Sequence, residues 1–263
     1  MNIILAVQGL SGLDGLPFRE KLDLVERKCA GLVDGFEFLV TPDFVERDYK
    51  ENKERFRDFF SGYKCNAFHL FGKAGLELGD NDWTRRCFDV MAPFFSAGLM
   101  QRAVVHPDHV CDMDFLERLS AEKGVLIGIE TLGSSSFRDN RYRDIERILA
   151  EHSPFQLVAD TAHIGEMVPL GEPPFDDYVT RFSDRLAQVH FSAPGNLYKG
   201  LDLDDEINTP HSLVSIAWKR PADFLPGINR VKGLPFTIEG VIPSGDKGED
   251  MLRSEIEFLR NGI

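Results

Sequence analysis

The sequence predicts an α/β protein, a single (β/α)8 barrel domain spanning residues 1–263. Three observations carry this expectation. Eight apolar runs of strand length recur along the chain at a fairly regular pitch. Amphipathic stretches with apolar residues at helical spacing lie between them. Most of the apolar runs are near-continuous rather than alternating, as expected of parallel strands covered on both faces. Alternating strands and helices in a chain of this length fit a closed barrel, which takes about 250 residues. An open doubly wound sheet is the competing arrangement.

The elements follow in order. The first strand is expected at residues 2–7, before a glycine-rich turn, Gly9-Leu10-Ser11-Gly12-Leu13-Asp14-Gly15. That turn would suit a phosphate, although its spacing is not the dinucleotide fingerprint. A helix is expected over 17–31, a strand at 35–40 and a helix over 43–60. The strand at 66–70 contains His69. A helix over 82–98 leads to the strand at 102–106, which ends on His106. A helix over 113–121 leads to 125–130, ending on Glu130. A helix over 140–150 leads to 156–160, ending on Asp160. A helix over 175–184 leads to 187–191, which contains His190. Residues 192–228 break the rhythm and are rich in Asp, Pro and Gly. Loops after barrel strands carry active sites, so this one suggests a substrate cover or a further ligand donor. The last strand, 235–239, ends on Glu239, and a helix over 250–259 closes the chain.

Composition narrows the functional classes. Hydrophobic residues make up 43% and charged residues 28%, ordinary for a soluble globular protein, and 21 Phe help fill the core. A net charge of −13 disfavours binding to long nucleic acid, which leaves a small molecule as the expected partner. The four cysteines, Cys29, Cys65, Cys87 and Cys111, form no CxxC pair. They read as reduced thiols of a cytoplasmic protein rather than as a thiolate metal site. The first residues begin as a strand, without the basic and apolar regions of a signal peptide. No apolar run is long enough to span a bilayer, so no membrane role is expected.

The strand ends carry the chemistry. Runs such as Ile127-Gly128-Ile129-Glu130 and Phe236-Thr237-Ile238-Glu239 finish on charge, which is costly in an apolar setting unless it is paired or metal-bound. Parallel strands bring their C-terminal ends to one face. Glu130, Glu239, Asp160, His190 and His106 would then converge on one pocket, with hard oxygens and imidazoles suited to Mn, Mg, Fe or Zn. In Asp160-Thr161-Ala162-His163 the spacing lets both side chains face one cavity, and it equally suits an Asp that caps the next helix. His69 and His106, on adjacent strands, favour a second metal. His211, on the long loop, is open to a role as ligand, substrate contact or exposed residue. His109 and His152 read as surface residues. Lys73 and Lys199 lie on loops where an anionic group could be met, although surface lysines usually meet none.

A strand-end Glu, then Asp-x-x-His, then His, then Glu-Gly, in that order, resembles the xylose-isomerase-like TIM barrels. That superfamily includes sugar isomerases and epimerases and also endonuclease IV. The resemblance implies that Glu130, Asp160, His190 and Glu239 hold one divalent metal. It also implies that His69 and His106 bind a second metal with Glu130, and that His163 touches substrate. The chain departs from the pattern in three places. Thr209 stands where endonuclease IV has the Asp of an Asp-x-His pair, here ending on His211. The run after His190 lacks the Asp of His-x-x-Asp. Thr131 follows Glu130 where Asn is usual.

The expected function is therefore a divalent-metal-dependent isomerase or epimerase of a small sugar or polyhydroxy carbonyl compound. Glu130 and Glu239 would be the catalytic proton carriers, with His163 and His211 on the substrate. The alternatives are an endonuclease IV-like phosphodiesterase and a metal-dependent oxygenase or non-enzymatic barrel.

Overall fold

A computed structural model describes residues 1–13, 15–203 and 207–262. Asp14, in the glycine-rich turn, lies outside the described residues. Eight parallel strands form the barrel. They are β1 (Asn2–Ala6), β2 (Gly35–Val40), β3 (Ala67–Leu70), β4 (Arg102–Val105), β5 (Ile127–Glu130), β6 (Gln156–Asp160), β7 (Leu186–Phe191) and β10 (Pro235–Ile238). β10 pairs with both β1 and β7, which closes the ring and rules out the open sheet. Two short strands, β8 (Ala193–Pro194) and β9 (His211–Ser212), make an antiparallel ribbon beyond the end of β7.

The helices pack outside the ring. They are α1 (Phe18–Cys29), α2 (Tyr49–Ser61), α3 (Asp82–Ser96), α4 (Met113–Lys123) and α5 (Tyr142–Glu151). The remaining ones are α6 (Thr161–Met167), α7 (Phe175–Arg181), α8 (Pro221–Phe224) and α9 (Gly245–Gly262). The stretch expected as one helix over 43–60 is instead a wide π turn, Phe44–Asp48, running into α2. Asn52 leaves helical geometry there, and its side-chain amide donates to Asp48 O at 3.0 Å. An Asn side chain competing for backbone groups in this way interrupts a helix. α8, four residues long, is too short to repeat an apolar face, and α6 is signalled only by the Asp160 cap.

Alternation along the strands decides which residues see the barrel interior. Phe36, Phe68, Ile127, Ile129, Leu157, Ala159, Val189, Phe191, Phe236 and Ile238 all belong to the core between sheet and helices. Side chains of a strand point to opposite faces in turn. The intervening Glu37, His69, Glu130, Asp160, Gln188, His190 and Thr237 therefore point inward. Aromatic rings fill the wall behind β2 and β3. Phe56 alone has the rings of Phe38, Phe44 and Phe60 at 5.0, 4.9 and 4.6 Å between centroids. A densely packed outer layer holds the strands in fixed register, and that register places the polar interior.

Candidate metal centre

Register brings the strand-end residues to one level. Asp160 on β6 pairs with His190 on β7. His106 and Glu239 each follow directly on the last residue of their strands, β4 and β10. Glu130, Asp160, His190 and Glu239 offer donor atoms that all lie within 4.8 Å of one another. His69, His106 and Glu130 form a second such set, sharing Glu130 with the first. Glu130, Asp160 and His190 are almost wholly buried, at 1%, 0% and 0% exposure, so these charges have little water to compensate them.

The distances describe convergence on common points rather than simple pairing. His190 Nδ1 lies 3.1 Å from Glu130 Oε1 and 3.0 Å from Glu239 Oε1. Glu130 Oε2 lies 3.1 Å from His106 Nε2 and 3.5 Å from His69 Nε2, yet it accepts a hydrogen bond from neither. Asp160 divides its two oxygens. Oδ1 accepts from the His163 backbone N–H at 2.7 Å and caps α6, while the buried Oδ2 has no hydrogen-bond partner among the described residues. Both readings of the Asp-x-x-His spacing therefore hold at once. Buried polar atoms are normally satisfied, so two orphaned carboxylate oxygens at one cluster fit a bound cation. Hard carboxylate oxygens with imidazole suit a divalent ion.

The charges are strongly coupled. Burial pushes the Glu130 carboxyl up, but His190 and His106 outweigh it and hold it well below the usual range. Burial raises the Glu239 carboxyl well above its ordinary value; His190 opposes the rise, while Glu130 and Asp160 add to it. Asp160 is lowered, because His163 and His211 overcome the effect of burial. His190 is raised well above an ordinary imidazole: burial disfavours its charge, but Glu239, Glu37 and Glu130 surround it.

A cavity of about 330 Å³ opens above the cluster, lined by His69, His106, Glu130, His163, His211 and Glu239 among others. The ribbon β8–β9 brings His211 over it. The His211 Nδ1 is 3.8 Å from Glu239 Oε2 and 3.0 Å from Ser192 Oγ, and its ring stands 4.8 Å from that of His163. Thr209 also lines this cavity. A second cavity, about 410 Å³ and walled by Phe18, Leu22, Val25, Phe38 and Phe44, shares Gln8, Gly9 and Val241 with it.

Every strand-end residue singled out in the sequence thus lines this pocket or lies in the cluster beneath it. Other expectations need correction. His152 is buried at 6% exposure, its Nδ1 2.7 Å from Glu117, because α5 ends against α4 there. His109 is half-buried, stacked on His106 with ring centroids 5.8 Å apart. Lys73 and Lys199 do not line the pocket; the Lys73 ammonium sits over the Phe71 ring. The residue that sequence reading missed is Glu37, mid-strand on β2 and fully buried. Its oxygens lie 3.0 Å from both His69 Nδ1 and His190 Nε2. Burial would raise its carboxyl, but His190 and His69 bring it down to about 2. The signal was present: Glu37 is the single charge inside the apolar run Gly35-Phe36-Glu37-Phe38-Leu39-Val40.

No protein-family model matches the sequence, and no curated protein matches it. Solved structures do match over the whole chain. The probable 3-DHS dehydratase AsbF of Bacillus anthracis aligns with 99% of this chain and 99% of its own, at 12% identity and a TM-score of 0.63. A D-allulose 3-epimerase from Methylomonas sp. covers 99% of this chain and 97% of its own, at 16% identity and a TM-score of 0.62. The IolI protein, solved with a bound zinc atom, covers 99% and 96%, at 13% identity and a TM-score of 0.60. Identities this low speak for the shared architecture, and with these full-length neighbours the chain has the fold of the xylose-isomerase-like TIM barrels.

Proposed function

We propose that the protein is a divalent-metal-dependent isomerase or epimerase acting on a small sugar or other polyhydroxy carbonyl compound. The observation that carries this reading is the set Glu130, Asp160, His190 and Glu239, the first three buried and the last partly so, with donor atoms mutually within 4.8 Å at the C-terminal mouth of the barrel. That mouth is where barrel enzymes hold their active sites. One neighbour in fold is named an epimerase and another carries zinc, which fits the reading.

These four residues would hold the ion, with His69 and His106 joining Glu130 around a second. Bound there, a divalent cation supplies a Lewis acid for adjacent substrate oxygens. Glu130 and Glu239 carry the proton. Their Oε1 atoms both lie within about 3 Å of His190 Nδ1, so both carboxylates reach the same small volume. One takes a proton from the carbon beside the carbonyl and the other returns one, as paired acid–base groups within hydrogen-bond reach can do. His163 and His211 hold substrate hydroxyls on the outer side of the pocket.

Metal analysis by mass spectrometry on wild type, Glu130→Ala and His69→Ala tests the site. The ion of the four-residue site is expected to be lost in Glu130→Ala and kept in His69→Ala, while an ion held by His69, His106 and Glu130 is lost in both. Glu239→Gln is expected to keep much of the metal and lose roughly 10²–10⁴-fold in turnover, the usual contribution of a general acid or base. Uptake of solvent deuterium by a panel of sugars and sugar phosphates is the assay. Undiminished exchange in Glu239→Gln overturns proton transfer through that residue.

The triple His69, His106 and Glu130 favours a second reading, an endonuclease IV-like phosphodiesterase with two clustered ions. Thr209 and the net charge of −13 argue against it. Nicking of an abasic duplex, abolished by chelation, would move the assignment there.

A further inference from the structure

Glu37 stands beneath the cluster, inside the barrel and away from the pocket lining. Its Oε1 lies 3.0 Å from His69 Nδ1 and its Oε2 lies 3.0 Å from His190 Nε2. The same Oε2 accepts from Gln188 Nε2 at 2.8 Å, and Gln188 also reaches Thr237 Oγ1 at 2.6 Å. A carboxylate without a proton can only accept, so the ring nitrogen facing it carries the hydrogen. The other nitrogen of each ring then faces the cluster. For His69 this is Nε2, 3.5 Å from Glu130 Oε2. For His190 it is Nδ1, 3.1 Å from Glu130 Oε1 and 3.0 Å from Glu239 Oε1; it donates to these carboxylates while no metal is bound and gives up that hydrogen when it ligates.

We infer that Glu37 is a positioning residue serving both halves of the site: it holds His69 as the Nδ1–H tautomer and His190 as the Nε2–H tautomer, leaving one lone pair on each ring for metal. The inference rests on the metal-site reading proposed above. A metal-ligating imidazole needs its second nitrogen tied to an acceptor, which fixes the ring's tautomer and orientation. Here one carboxylate ties two imidazoles from different strands, β3 and β7, and requires opposite tautomers of them. The donor atoms of Glu37, His69 and Glu239 also lie within 4.8 Å of one another, which raises the question of Glu37 as a ligand. Its oxygens are already taken by three donors, His69, His190 and Gln188, and the positioning role uses all of them. A Gln at this position has one acceptor oxygen and one amino group, so it can hold only one of the two rings correctly.

The test is calorimetric titration of Zn²⁺ and Mn²⁺ into metal-stripped wild type and Glu37→Gln, beside ¹⁵N-histidine NMR of the zinc-loaded wild type. The expected result is affinity weakened roughly 10–100-fold in Glu37→Gln, the usual effect of removing an outer partner of a metal ligand, with the same number of ions bound at saturation. In the wild type, His69 is expected as Nδ1–H and His190 as Nε2–H. If Glu37→Gln does not fold, the wild-type tautomers decide the matter alone. Equal affinities in folded wild type and variant, or the opposite tautomers, overturn the role of Glu37 and leave the metal site standing. An ion missing from Glu37→Gln at saturating metal makes Glu37 a ligand and also overturns it. Wild type that takes up no divalent ion overturns the metal reading, and this inference with it.

Discussion

At the scale of single residues, Asp160 shows how one side chain can serve the fold and the site together. Its Oδ1 caps α6 and its Oδ2 faces the cluster unpartnered. The two duties separate by substitution. Asp160→Asn keeps an oxygen for the cap and removes the charge, so with metal stripped from both it is expected to unfold near the wild-type denaturant midpoint, and on adding metal to bind little of it. Asp160→Ala removes both, with an added stability cost of about 1 kcal/mol for the lost cap. Denaturant unfolding and metal content, measured on both variants, check this. The strand-end residues of the candidate cluster stood out in the sequence because each sits at or beside the end of a recognisable apolar run, where a charge is conspicuous. Glu37 escaped notice because reading attended to strand ends, while its partners lie 32 and 153 residues away along the chain. Which nitrogen of His190 faces which carboxylate depends on barrel geometry, and no local pattern in the chain encodes it.

At the scale of elements, strands were legible and helix ends less so. β2 and β6 fall where the apolar runs predict them, because the core packs against complete runs. The start of α2 did not, since the Asn52 side chain diverts a backbone partner there. The ribbon β8–β9 could not be read at all, because two-residue strands have no periodicity. Its seat depends on Gly240. A Cβ at that position would stand 2.6 Å from Leu213 N and 2.7 Å from Ser212 C, both backbone atoms of the segment carrying His211. Gly240→Ala is therefore expected to displace the ribbon, weaken substrate binding and leave the four-residue metal set in place. A raised KM with unchanged metal content is the outcome to look for.

At the scale of the whole molecule, the closed ring places six strands' chemistry on one face without any long-range motif in the sequence. Closure itself was predictable from eight runs and the chain length, while the cavities above the ring were not, since loops build them. The charge arrangement has a stability consequence. Three carboxyls, the buried Glu130 and Asp160 and the partly buried Glu239, repel one another unless a cation lies among them. A ligand that binds only the folded state stabilises it by about 2.7 kcal/mol at a free concentration 100-fold above its Kd. For a domain of this size that corresponds to a rise of roughly 5–10 °C in Tm. Chelation is expected to lower Tm by that amount, and restoring Mn²⁺ or Zn²⁺ to recover it, as differential scanning calorimetry would show.

The shared carboxylate of Asp160 would also tie a bound ion to the loops that cover it. α6 begins on the Asp160 cap, and its Gly165 lies against Pro194 of the ribbon, where a Cβ would come within 3.5 Å of the Pro194 ring. Pro194 pairs in turn with His211 over the pocket. An ion that draws in Asp160 Oδ2 is expected to steady the first turn of α6, and through it the ribbon, so that filling the site and ordering its cover would be one event. Hydrogen–deuterium exchange is expected to slow together at the His163 amide and along the ribbon when metal is added. Exchange that slows at neither place would show that the cover keeps no record of what lies beneath it.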